Sequence, residues 1–323
     1  MITINHRGAV LSLFSAVDVL APVVGPFAGG YITSAWGWRW IFYFLAILSG
    51  VISIVAFLFL RETYSPVILE QKAKRLRKAT GNINLHTQRQ NTKPLGSLMS
   101  RAFLRPMRIL IMSPIVLGLS LYMSLVYGLI YVLFTTLAVV FQGVYGFNTS
   151  NSGLTFLGFG GGMVLALLVA GRFNDKIHKK LSEKHHIEKP EFRLPFLIYG
   201  ALFLPIGMFI YGWTIQARAH WILPLIGTAF AGVGVVFCLV PTQAYIIDAF
   251  PLHSASALAG NSLLRSVVGG TLPLAAPGLY AKLGYGWGNS LLAFLALAFG
   301  GLPILFYKYG EALRKRYPVK LDD

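Results

Sequence analysis

Three charged residues stand inside long apolar stretches of this 323-residue sequence: Asp18, Asp248 and Arg265. A charge at the centre of a bilayer costs at least about 2.5 kcal/mol, so each needs a partner or a wet cavity. Low-dielectric surroundings raise a carboxyl pKa, which would let Asp18 exchange protons; the same residue could instead line a central cavity. Asp248 precedes a turn near Ser254 by six residues, and Arg265 follows it by eleven. At about 1.5 Å per residue their axial offset in a helical hairpin is about 7 to 8 Å, within reach of a snorkelling arginine. The spacing predicts a gating or structural ion pair. Tyr122, Tyr127 and Tyr131 recur close to helical spacing. Such a stripe either attracts a cationic amphiphile through its rings or packs as core aromatics. Gln243, Tyr245 and Asn261 add polar groups at similar depth, and Pro241 loosens the helix beside Gln243.

The elements that must hold these residues are membrane spans. The composition is 55% apolar and only 12% charged, against roughly a quarter charged in soluble domains. It is too aromatic for a disordered chain, and with Cys238 alone no internal disulfide is possible. A crossing helix needs about 20 apolar residues, and eight runs qualify: 9–32, 40–60, 109–136, 152–171, 194–214, 221–246, 258–281 and 288–307. The runs are continuously apolar, whereas β-barrel strands alternate over about 10 residues. The expected class is an all-α, polytopic membrane protein.

The net charge of +17 would suggest nucleic acid in a soluble protein, but its distribution reads as topology. With a cytoplasmic amino terminus, 24 of the 28 basic residues face inward, Arg39, Arg218 and Lys282 face outward, and Arg265 lies within a span. This is a positive-inside pattern with both termini cytoplasmic; anionic lipid attraction follows from it, and nucleic acid is not needed. The first run is too long for a signal-peptide core and carries Pro22 and Pro26. The sequon at Asn148 falls in so short an outward loop that it would sit against the membrane, which disfavours glycosylation.

Residues 61–108 divide two spans from six, giving segments 1–60, 61–108, 109–307 and a tail 308–323. Within the divider, Val67 to Leu69 precede a basic run that stops at Gly81, which reads either as an amphipathic helix on the headgroups or as a solvated connector. The basic loop 172–192 carries His178, His185 and His186 without Cys or carboxylate at ligand spacing, so solvated histidines are expected and no metal. Gly25 and Gly29 lie one turn apart beside Pro26, with Gly30 next to them; Gly158 and Gly162 repeat the spacing. Small residues so placed let helices approach closely, and the two faces are expected to meet.

The stretch APVVGPFAGGYITSAWGWRWIFY resembles the fifth-span motif, and the start of the sixth span, of proton-coupled antiporters in the major facilitator superfamily, with Ala21 where the motif has glycine. RETYSPVILEQKAKRLRKATGN is similar to the start of the central loop in its fungal drug and polyamine efflux branch. RPMRILIMSPIVLGLSLYMSLVYGLIYVLF, RLPFLIYGALFLPIGMFIYGWT and ASALAGNSLLRSVVGGTLPLAAPGLYAKLGYGW resemble its seventh, ninth and eleventh spans. The resemblance covers nearly the whole chain and implies an incomplete major facilitator fold of about eight spans, lacking spans one to four. It also identifies Gly171 to Lys176, with Asp175, as the second-half counterpart of the family's loop between spans two and three, which supports gating and proton coupling in relatives.

The function the resemblance implies is proton-coupled efflux of drugs, polyamines or other organic cations from a plasma membrane or, alternatively, a vacuole. The partners are then membrane lipid, a small-molecule substrate and protons, with no cofactor. The alternative is a truncated membrane protein that does not transport, since two spans cannot wall off the face opposite the other six. A membrane enzyme would need a histidine box, a Ser/His or Asp pair within spans, or a nucleotide loop, and a channel a repeated pore segment. The sequence offers none of these.

Overall fold

The computed structural model describes residues 21–60, 62, 65–82, 85, 95–187, 189–250 and 253–317. These form α1 (21–36), α2 (Arg39–Phe59), α3 (Ser65–Thr80), α4 (Leu95–Met112), α5 (Pro114–Tyr145), α6 (Thr149–Leu154), α7 (Phe156–His185), α8 (Leu194–Gln216), α9 (Ile222–Ala249), α10 (Ser254–Thr271) and α11 (Ala276–Arg316). Short 3-10 turns at Pro190–Arg193 and Leu272–Ala275 precede α8 and α11, and no strand occurs among the described residues. Among the described residues, six stretches are long and apolar enough to cross a membrane. The last, Ser254–Arg316, has 63 residues, roughly 95 Å if straight, about three times the hydrocarbon thickness. Gly284, at φ 71° and ψ 177°, breaks it, so it holds the last two expected spans. The left-handed φ there is open to glycine without a Cβ clash. Gln216 steadies the break by accepting a hydrogen bond from the Gly286 N–H at 2.6 Å.

Two compact units divide the chain. The smaller is Trp36–Phe103; the larger takes in α1 up to Ala35 and the described chain from Leu104 onward. In the smaller unit α2 is apolar all round and buries no residue, as suits a helix meant for lipid or for another helix. The basic run there is helical: α3 ends where Gly81 turns to φ 68°, its N–H donating to Arg77 O at 2.9 Å.

In the larger unit two expected boundaries move. The third span does not begin at 109. Ser113 is extended, its hydroxyl accepts from the Val116 N–H, and Pro114 opens α5, which then runs to Tyr145. Proline at the first helical position has no amide hydrogen to leave unpaired. Residues 172–192 are also not a loop throughout, since α7 continues as a helix to His185 and stops where His186 turns to φ 54°. His185 stacks on Phe192, with ring centroids 5.5 Å apart. Asn148 caps α6, its Oδ1 accepting from the Asn151 N–H at 2.8 Å.

Glycines decide which helices touch. Gly200 and Gly207 on α8 face Cys238 and Ala231 on α9, while Gly227 and Gly234 on α9 face Tyr211 and Leu204. Each pair is seven residues apart, about two turns, so both lie on one face of their helix. The expected meeting of two glycine faces is corrected. Gly25 has nothing near its Cβ position, whereas Gly158 and Gly162 press against backbone oxygens of Leu225 and Ala229 on α9. Helix α1 instead packs through Pro26 and Gly30 on Gly153, and through Val23 on Gly160. A helix surface carries several glycine rows, and spacing alone does not say which row meets which neighbour.

Candidate functional site

A cavity of about 310 Å³ opens between α5, α7, α9 and α10, closed at one point by Pro22 of α1. From α5 come Tyr127, Tyr131 and Phe134, one helical face. Phe159 and Met163 of α7 stand opposite, Val236, Val240 and Gln243 come from α9, and Arg265 from α10. The rings form a ladder: Tyr127 to Tyr131 at 6.5 Å, Tyr131 to Phe134 at 6.2 Å and Phe134 to Phe159 at 5.0 Å between centroids. The wall of α7 stands where it does because Gly158 and Gly162 admit α9. In α9, Pro241 interrupts the backbone ladder two residues before Gln243, and the Thr242 hydroxyl donates to Cys238 O at 2.8 Å.

Arg265 is the one charged side chain among the described lining residues. Its guanidinium carbon lies 4.2 Å from the centre of the Tyr127 ring, a cation–π contact worth about 0.5–2 kcal/mol. It does not pair with Asp248, as the hairpin spacing predicts. Asp248 accepts instead from Arg193 Nε at 2.5 Å. Arg193 reaches it from the turn before α8, an element that the count within the hairpin leaves out.

That turn organises a cluster of charges at one end of the bundle. Lys189, Glu191 and Arg193 alternate along an extended-to-3-10 segment, and each engages a different partner. Lys189 binds Glu311. The buried Glu191 takes Arg314 in a two-pronged contact, at 3.2 and 3.5 Å. Glu311 also receives Lys315 at 2.7 Å. Hydrogen bonds from Lys189 and then Lys315 hold the Glu311 carboxyl at about 2, well below its ordinary 4.5. The sequence reading missed this cluster, though the alternation of charge at Lys189, Glu191 and Arg193 was there as a signal.

The expected pathway residues therefore separate. Tyr127, Tyr131, Gln243 and Arg265 come together around the cavity. Tyr122 does not line it: it is buried, with its hydroxyl 3.1 Å from Cys238 Sγ. Tyr245 and Asn261 are buried in the helix packing outside the cavity lining. Asp18 lies outside the described residues, and so does the side chain of Asp175, whose backbone is part of α7. Among the described residues no group of three His, Cys, Asp or Glu is placed to hold a metal ion.

The apolar helical bundle with its cavity accords with the proteins this chain is similar to. The Major Facilitator Superfamily model matches residues 1–240. The chain is 47% identical over 320 residues to the MFS transporter prlG of a fungal species (strain NRRL 50135), covering 98% of this chain and 67% of the relative. It is 44% identical to the efflux pump radE of Floropilus chiversii, over 99% of this chain and 60% of the pump. It is also 44% identical to the MFS-type transporter penM of Penicillium rubens, over 96% and 61%. The chain thus spans about two thirds or less of the length of these relatives, and nearly all of it is matched. Six apolar crossing stretches, a glycine-packed helical bundle and a matched family model over three quarters of the residues lead to one assignment: the chain is an integral membrane protein that belongs to the major facilitator superfamily.

Proposed function

We propose that the chain moves small organic molecules out of the cytoplasm by alternating access, with the cavity lined by Tyr127, Tyr131, Gln243 and Arg265 as part of the substrate path. The observation that carries this reading is the cavity itself. Substrate sites of such carriers lie near the bilayer midplane between helices, and Arg265 stands eleven residues past Ser254, about 16 Å along α10 and so about halfway through a 30 Å core. The efflux direction is supported by relatives such as the efflux pump radE. Coupling to protons belongs to the same proposal, with Asp18 and Asp175 as the residues to test. The positive-inside pattern supports cytoplasmic termini, in a plasma membrane or a vacuolar one.

Of the cargo that the sequence suggests, small aromatic drugs suit the ring-lined cavity.

The test is efflux of the neutral aromatic dye Nile red from yeast cells lacking their own pumps. Cells expressing the chain should retain about half the dye of control cells or less, and a protonophore should erase the difference. Equal retention with and without the chain overturns the proposal and favours a membrane protein that does not transport.

A further inference from the structure

We infer that the cavity selects aromatic molecules carrying a negative group, a carboxylate or phenolate, and holds that group on Arg265. The inference rests on the proposal that this cavity is the substrate site and names its substrate class. Four observations support it. The charged side chain among the described lining residues is a cation, Arg265. The acid that the hairpin would offer as a counter-charge, Asp248, is occupied by Arg193. Arg265 makes no hydrogen bond or ion pair with a described residue; its contact is the face of Tyr127, at 4.2 Å. A guanidinium carries five N–H donors, more than one ring can engage, so donors remain on Arg265 to bind an anion.

The surroundings sharpen the choice. At mid-depth the effective dielectric is low, so an ion pair between Arg265 and a ligand is far stronger than in water and a cationic ligand is repelled by the same amount. The Tyr131, Phe134 and Phe159 rings offer edges and faces to a flat aromatic body. Gln243, which makes no hydrogen bond to a described residue, adds an amide to a carbonyl or hydroxyl on the ligand.

The experiment compares two probes of equal ring size, 1-naphthoic acid, an anion at neutral pH, and 1-naphthylmethylamine, a cation. Each is titrated by equilibrium dialysis against the purified chain in nanodiscs of zwitterionic lipid, with empty nanodiscs as the baseline. The acid should bind at least about tenfold more tightly than the amine. Arg265→Gln should lose most of that preference, and Arg265→Lys should keep part of it. Equal binding, preference for the amine, binding of neither probe, or a preference unchanged in a folded Arg265→Gln protein each overturns the inference. The wild-type pair decides the matter if the variant does not fold. Binding is read without transport, so selective naphthoate binding in a chain that fails the dye assay removes the transport proposal alone. Preferred efflux of the amine removes this inference alone.

Discussion

At the end of the bundle between α7 and α8, Lys189, Glu191 and Arg193 are each met by an opposite charge from another helix. About two thirds of the way along α10, Arg265 meets an aromatic ring. The two regions use the same residue type for different ends. A charge satisfied by a carboxylate braces the structure, because removing one partner strands the other in a poorly solvated place. A cation whose contact is a ring still has N–H donors to offer a ligand, so it adds less to stability than a paired charge does. Paired charges thus brace the end of the bundle, while Arg265 lies against a ring at the cavity.

The comparison can be broken at the wall the two regions share. A Cβ at Gly162 would strike the Ala229 carbonyl and force α7 from α9. Gly162→Ala should destabilise the protein by about 3 kcal/mol in thermal melts followed by size exclusion. Gly25→Ala, whose Cβ meets nothing within 4 Å, should stay within about 0.5 kcal/mol. A large effect at Gly25 would show that α1 packs on a face other than the one seen. Next in size, Glu191→Gln keeps the volume and removes the charge facing Arg314. Glu191 is buried but the Arg314 side chain is 36% exposed, so the loss should be about 2 kcal/mol, below the 3–5 kcal/mol of a fully buried pair. Arg314→Gln in the same background should add little more, because the two act as one unit.

Arg265 should behave in the opposite way. Arg265→Leu forfeits a cation–π contact of about 0.5–2 kcal/mol and relieves a mid-membrane charge costing at least about 2.5 kcal/mol. The net expectation is a gain of about 1 kcal/mol in thermal stability, together with loss of ligand selectivity. A melt lowered by as much as that of Glu191→Gln would place Arg265 in the scaffold and erase the contrast between the regions.

The smallest effect is in acid. Because the folded Glu311 carboxyl titrates near 2 and its unfolded value is 4.5, its contribution is complete above about pH 5, declines as pH falls through that window, and is gone below about pH 2. Glu311 is a third exposed and therefore screened. The melting difference between wild type and Glu311→Gln should be small at neutral pH and shrink toward zero in acid; a difference that grows on acidification would contradict the Lys189 and Lys315 contacts.

Much of this molecule was legible in its residues. Long apolar runs demand helices because a backbone in lipid must satisfy its own hydrogen bonds, and the runs from Arg39 to Lys308 correspond to helices at the expected places. The stop of α3 at Gly81 follows from the left-handed turn that glycine accepts. What failed were features that hydropathy does not report. Ser113-Pro114 starts a helix within an apolar run through a cap, and residues 172–185 stay helical although polar. Of the candidate site, Tyr127, Tyr131, Gln243 and Arg265 were recognisable as polar or aromatic groups within spans, where any such group is unusual.

By itself, then, the amino-acid sequence determined the all-α membrane class, the approximate places of the spans and the family. Those depend on composition, local period and motif, which are properties of neighbours in the chain. Only the tertiary structure decided that Asp248 belongs to Arg193, that Tyr122 is core while Tyr127 and Tyr131 line a cavity, and that Gly162 faces α9. Each of these joins residues from separate helices. Which faces meet depends on the fit of whole surfaces, glycine rows and competing charges together, and no spacing within one helix contains that information.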